Sequence, residues 1–283
     1  PYNAVQGGVD ERGNPLQIIP LTPEEAAYNR AKNNPQDRYV VWPSGQVAQD
    51  SNTALLFFLR FLYGADKSAG MSGVGVATLH TGEGVATRQS NLLFGPNEPG
   101  FRESMIKDGF VYLYAIDCGS DNCPVARAPL AQATSRSAYT FWDGTTWNMD
   151  VSKAQPVVPA SNYGFSVMWS DALGKYIDAK IGNFSRQVYF SFADVPQGPW
   201  STPVKAFELA GETTYVPYFH PELSNGQDIY MSYTRNNDSC KSPCTDTGGI
   251  EMMKITLQTT AVAGGGPSTS EPHSSSGTPA ANT

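Results

Sequence analysis

The chain is expected to fold as an all-β protein, and within that class as a β-propeller. Three observations predict this. First, short alternating or aromatic-rich runs follow one another from Arg38 to Leu257, separated by Gly-containing turns. Second, the runs group into units of roughly 40–50 residues that share one plan. Each unit has a short first strand, a turn holding Gly (Asp108-Gly109, Leu173-Gly174, Asn225-Gly226), and then a Tyr/Phe-rich strand. Third, the composition is turn-rich, with 27 Gly and 21 Pro, 11% aromatic and only 16% charged residues among 283. This excludes a coiled coil or a disordered chain. A β-sandwich also yields short, evenly spaced strands and is the rival architecture, but it does not require the repeated plan.

Taken in order, residues 1–38 read as a turn-rich and briefly helical segment. Thr22 is placed as N-cap, Pro23 at the first helical position and Glu25 as the reciprocal capping partner. The helix is expected to run to about Lys32, before Asn33-Asn34-Pro35. Residues 39–258 hold the blades. The first unit is Tyr39–Trp42 leading into a Pro43-Ser44-Gly45 turn, then Ala54–Leu62, Gly73–His80 and Val85–Leu93. The second is Glu103–Lys107, Phe110–Asp117 and Val125–Ala128, with a long excursion from Arg136 to Trp147. The third is Tyr163–Trp169, Lys175–Lys180, Gln187–Phe192 and Val204–Glu208. The fourth is Val216–Pro221, Asp228–Thr234 and Gly249–Leu257. Residues 259–283 lack Leu, Ile and Phe and are crowded with Gly, Ser, Thr and Pro, so a disordered tail or linker is expected.

Net charge is −7, which argues against nucleic acid or an anionic membrane as partner. The most apolar run, Thr53–Ala65, is too short to span a bilayer and is interrupted by Arg60. No signal peptide is visible, but the chain starts at Pro1, which leaves processing open. The cysteines form two close pairs, Cys118/Cys123 and Cys240/Cys244, expected to be local disulfides. A zinc site is the rival, disfavoured by only three His and the absence of CxxC spacing. Together with Asn183-Phe184-Ser185 and Asn237-Asp238-Ser239, which fit glycosylation acceptors, the cysteines point to an extracellular location. Asp117, Asp121, Asp143 and Asp150 lie in loops without EF-hand spacing, and no phosphate-binding Gly loop, GxSxG or HExxH occurs. No metal or organic cofactor is expected.

Several segments resemble one family. Gly198-Pro199-Trp200-Ser201 followed by Pro203-Val204 is similar to an outer-strand motif of five-bladed propeller glycosidases. Tyr218-Phe219-His220-Pro221-Glu222-Leu223-Ser224, with Ile229-Tyr230-Met231-Ser232-Tyr233, resembles the last blade of domain-of-unknown-function family 4185. So does Val125-Ala126-Arg127-Ala128-Pro129-Leu130 read with Tyr139-Thr140-Phe141-Trp142-Asp143-Gly144. The resemblance covers about residues 14 to 257 and implies a five-bladed propeller related to endo-D-arabinanases. It therefore implies a secreted, monomeric glycoside hydrolase acting on a furanose-containing polysaccharide such as arabinan. The Arg-Asp-x-Gly and Gly-Asp-Thr segments of that family are absent, and four units are counted where five are implied. The expectation is that a first blade, with the aspartate serving as base or nucleophile, is missing and that this chain is weakly active or inactive.

The candidate catalytic residues are Glu103 and Glu222. Glu103 opens the first strand of its unit, and the resemblance implies a general acid at the corresponding place. Glu222 is the first candidate for a second carboxylate within the chain. Arg102, Trp42, Tyr163 and His220 are candidate substrate-binding residues: an orienting cation, two stacking rings and a channel-lining imidazole. His220 and Glu222 alternate and would share one face of a regular strand. Each candidate has a plainer reading, with Arg102–Glu103 as a structural ion pair, His220 as a hydrogen-bonded core imidazole with Glu222 satisfying a loop, and the aromatics, Phe165 and Trp169 included, as blade core. The alternative function is a non-catalytic carbohydrate-binding propeller or an inactive fragment, and a protein–protein scaffold is a third possibility.

Overall fold

The computed structural model describes residues 17–34, 36–65, 69–116, 118, 122–159, 164–182, 185–209, 213–236 and 248–258. Helix α1 (Pro23–Lys32) begins as expected, with Thr22 and Glu25 in a reciprocal capping box, and it ends on Asn33 in the left-handed conformation. Four antiparallel sheets follow, one per blade. Blade 1 is β1 (Arg38–Ala48), β2 (Thr53–Tyr63), β3 (Ala69–His80) and β4 (Thr87–Arg88), in that order. Blade 2 is β5 (Gly100–Lys107), β6 (Phe110–Ile116), β8 (Val125–Pro129), β9 (Thr140–Trp142) and β10 (Trp147–Asn148). A short ladder joins β7 (Asn122–Cys123) to β11 (Val158–Pro159). Blade 3 is β12 (Phe165–Ser170), β13 (Lys175–Ile181), β14 (Gln187–Ala193) and β15 (Val204–Glu208). Blade 4 is β16 (Thr213–Phe219), β17 (Asp228–Asn236) and β18 (Gly248–Thr256).

The first strand of each blade faces the axis. β1 contacts β5, β5 contacts β12, and β12 contacts β16. Blades 4 and 1 approach each other where Tyr218 of β16 stands beside Gln46 of β1. The result is a four-blade propeller, the number of units counted in the sequence. No counterpart of the fifth blade implied by the resemblance occurs among the described residues.

The core lies between blades because the middle strands are apolar on both faces. In β2, Leu55, Phe57 and Leu59 pack toward blade 2 with Val111, Leu113 and Phe141. Leu56 and Phe58 point the other way, onto Ile19, Leu79 and Ala86. In blade 3, Val167 and Tyr176 join the first cluster, while Ile177, Ala179 and Ile181 meet Phe219, Ile229 and Met231 of blade 4. The alternation follows from the period of two along a strand.

Three local expectations change. Pro43-Ser44-Gly45 is not a turn. β1 continues through it with a bulge between Pro43 and Gln46, and Pro43 is tolerated because β1 is a sheet edge. Of Val85–Leu93, only Thr87–Arg88 pairs as a strand, beside an isolated bridge from Val74 to Phe94. The excursion from Arg136 to Trp147 returns to the sheet as β9 and β10. Cys118 and Cys123 form the expected disulfide. Cys240, Cys244, Asn183, Asn237 and residues 259–283 lie outside the described residues.

Candidate active site

Glu103 is the fourth residue of β5 rather than its first. A bulge between Phe101 and Glu103 places Arg102 as the extra residue. The Glu103 side chain is 6% exposed and accepts a hydrogen bond from Ser44 Oγ at 3.3 Å. Burial pushes its carboxyl up from the ordinary glutamate range. The Arg102 charge and the Ser44 bond pull the other way without cancelling it. Arg102 forms no salt bridge with Glu103 among the described residues, and its Nε is buried without a hydrogen-bond partner there. Ser44 reaches Glu103 because β1 and β5 touch at Gly45. A Cβ there would sit 2.2 Å from the Arg102 carbonyl oxygen.

The opposite wall comes from blade 4. β16 is bulged between Tyr215 and Tyr218, and Val216 carries φ 55°, a region that a β-branched residue enters only under strain of about 1–3 kcal/mol. The bulge turns Tyr218 toward Gln46 in blade 1. The Tyr218 phenol is pushed up by burial first, then by the neighbouring Glu103 charge. The Gln46 bonds oppose this, and Glu222 adds a smaller upward push. Tyr218 therefore stands within electrostatic reach of both candidate carboxylates.

His220 and Glu222 do not share a strand face. β16 ends at Phe219, and the two residues open the turn beyond it. They meet through that turn: His220 Nδ1 lies 3.0 Å from Glu222 Oε1, and Nε2 lies 2.8 Å from Ser232 Oγ. The His220 ring stands edge-on to Tyr218 with centroids 5.4 Å apart. The His220 bond draws the Glu222 carboxyl below the usual range, against its partial burial. The site thus pairs an acid biased toward its protonated form with one biased toward its ionised form, beside a phenol.

Trp42 belongs to neither carboxylate's hydrogen-bond set; it is 46% exposed and in tilted ring contact with Phe61 (4.5 Å) and Tyr63 (6.5 Å). Tyr163 lies outside the described residues. Phe165 is fully buried beside Tyr114 and offers no stacking face, and Trp169 lies under Lys107 Nζ at 4.1 Å. Asp143 and Asp150 cap turns instead of gathering ligands. Asp143 accepts backbone N–H bonds from Thr145 and Thr146, which hold its carboxyl down to about 2, and Asp150 accepts from Ser152. Among the described residues no group of three or more His, Cys, Asp or Glu is placed to hold a metal. Ser44 and Tyr218 were missed by sequence reasoning. Tyr218 carried two signals, its place at the head of the Tyr218–Ser224 segment and Pro217 before it, which marks an irregular strand.

A protein assigned as a hydrolase from Bacteroides ovatus ATCC 8483 superposes with a TM-score of 0.58 at 16% identity, over 76% of this chain and 60% of that one. The exo-β-1,3-galactanase 1,3Gal43A from Clostridium thermocellum superposes with a TM-score of 0.50 at 11% identity, over 80% of this chain and 49% of that one. The chain therefore spans about three fifths and about half the length of these two structures. The likeness shows a propeller fold of the kind found in glycoside hydrolases. No curated protein matches the chain in sequence. The family described as Domain of unknown function (DUF4185) matches over residues 80–239, more than half of the chain, and the chain belongs to that family.

Proposed function

We propose that the protein is an extracellular, monomeric glycoside hydrolase that cleaves a furanose-containing polysaccharide such as arabinan. The observation that carries this reading is the divergence of Glu103 and Glu222: burial favours a protonated Glu103, and the His220 bond favours an ionised Glu222. Pairs of carboxyls pushed apart in this way divide into an acid and its counterpart. The propeller fold, the disulfide and the enzymes with which the fold is shared support the reading.

In this mechanism Glu103 protonates the leaving glycosidic oxygen while Glu222 activates water or attacks the anomeric carbon. Ser44 holds Glu103 in place through its hydrogen bond, and the Tyr218 phenol stands nearby. His220 sets the orientation of Glu222. Arg102 and Tyr163 contribute to substrate binding.

The test is the Glu103→Gln variant. Loss of a general acid costs about 10²–10⁴-fold in turnover of the natural polymer, and an aryl leaving group that needs no protonation recovers most of it. Polymer turnover within a few-fold of wild type removes Glu103 from the mechanism. Binding of polymer without turnover by the wild-type protein favours the carbohydrate-binding reading.

A further inference from the structure

Outside the central site, the cleft between blades 1 and 2 holds a cavity of about 540 Å³, within the range of small-ligand sites. Its walls come from both blades. Phe61 and Met71 belong to blade 1, Gly100 and Ile116 to blade 2, and Asn97 and Pro99 to the connection between them. The disulfide residue Cys118 forms part of the blade 2 side. The rim carries one carboxylate, Glu98, and it is already engaged: Glu98 accepts from Gly95 N at 2.6 Å and from Arg136 Nη2 at 2.5 Å. A cavity with apolar faces, the amides of Asn97 and Asn122 and a compensated charge suits a neutral, hydroxylated ligand rather than an ion.

Two features connect this cavity to the central site. Gly100 lies three residues before Glu103 on β5, a distance of about 10 Å along a strand. On the other wall, Trp42 leans on the cavity-lining Phe61 and stands two residues before Ser44, the hydrogen-bond partner of Glu103. Trp42 is also the one large aromatic that is exposed among the described residues. A ring in tilted contact with Phe61 and Tyr63, with nearly half of its surface exposed, can serve as a stacking platform.

We propose that the Trp42–Phe61 platform and the adjoining cavity form an outer subsite, which binds sugar rings of a polysaccharide chain beyond those held beside Glu103. Apolar sugar faces stack on Trp42 while the amide of Asn97 meets hydroxyl groups. The proposal rests on the reading that the ligand is a polysaccharide, and it makes affinity depend on chain length.

The test uses the full chain carrying Glu103→Gln, so that ligand is not consumed. It is titrated by calorimetry with a linear arabino-disaccharide and an arabino-hexasaccharide, with and without Trp42→Ala. The hexasaccharide is expected to lose about tenfold in affinity in Trp42→Ala and the disaccharide less than about threefold, while Trp42→Phe keeps most of the affinity. Equal loss for both lengths puts Trp42 in the central pocket and overturns the proposal, as does no loss for either. If neither sugar binds, galacto-, xylo- and fructo-oligosaccharides are titrated in the same way, and absence of length-dependent binding throughout overturns it. Conversion of a dimer to a monomer by Trp42→Ala, with sugar binding unchanged, makes the platform a contact between copies and also overturns it. Should Trp42→Ala melt early, Met71→Lys, which fills the cavity with a charged chain, is judged by the same length dependence. Turnover retained by Glu103→Gln refutes the catalytic reading separately, since the length dependence is read from binding alone.

Discussion

Replacing Glu25 by Ala should destabilise the protein severely, although Glu25 lies far from the candidate site in the chain. Its carboxylate is 5% exposed and accepts the Thr22 N–H at 3.0 Å. It also accepts both terminal nitrogens of Arg88, at 2.6 and 3.1 Å, with Arg60 at 3.5 Å. Truncation removes half of the capping box and leaves Arg88, whose side chain is only 8% exposed, without its counter-charge. Breaking a buried pair from one side costs about 3–5 kcal/mol, and the lost cap about 1 more. For a domain of this size each kcal/mol is worth roughly 2–4 °C, so thermal unfolding followed by circular dichroism should shift down by about 10 °C or more. The pH dependence provides an independent check. Burial raises the Glu25 carboxyl, but the Arg88 bonds, the Thr22 bond and the Arg60 charge outweigh it and leave it below the ordinary value. Its contribution is therefore present above the unfolded-state pKa and is lost as pH falls through the folded one. Glu25→Ala should lose less stability in acid than wild type. A shift of under about 2 °C, or an unchanged acid slope, would refute the reasoning.

Asp178 gives the opposite sign. It is fully buried opposite Ser191, and burial lifts its carboxyl well above the usual range, with Lys180 and Ser191 opposing. Stability should fall as pH rises above about 4, where the unfolded chain releases this proton and the folded one retains it. Denaturant titrations of Asp178→Asn between pH 4 and pH 7 should lack that fall, and an identical slope would contradict the assignment. Gly45→Ala should cost about 1–3 kcal/mol by overpacking against the Arg102 carbonyl and should detach Ser44 from Glu103, lowering both melting temperature and turnover. Cys118→Ser opens a five-residue separation and should cost only about 2 kcal/mol, read as a small shift of the denaturation midpoint.

What could be read from the sequence was local chemistry. Asp108-Gly109 forms the expected two-residue hairpin turn, with φ 50° and 77° and Lys107 paired to Phe110, because the turn is specified by the two residues themselves. Thr22, Pro23 and Glu25 cap α1 for the same reason. Pro43-Ser44-Gly45 has turn composition, yet it lies within β1. Its glycine answers a distant demand, the approach of Arg102, which no local pattern encodes. Glu103 was legible as an acid near the start of an inner strand. The bulge at Arg102, which sets how Glu103 is presented, was not legible. Tyr218 joins the site only through the irregular backbone at Val216, and His220 meets Glu222 through a turn where a strand was expected.

The account turns on opposite protonation of two carboxyls, and carbon-13 titration of the glutamate side chains tests that directly, whether or not a substrate is in hand. With Glu103→Gln and Glu222→Gln proteins assigning the signals, Glu103 should titrate above the ordinary glutamate value and Glu222 below it. The His220→Ala variant should raise the Glu222 midpoint toward the ordinary value, since the His220 bond is what lowers it. A Glu103 carboxyl that ionises at or below the value of an exposed glutamate would contradict the account, because Glu103 would then not hold the proton that the mechanism asks it to donate.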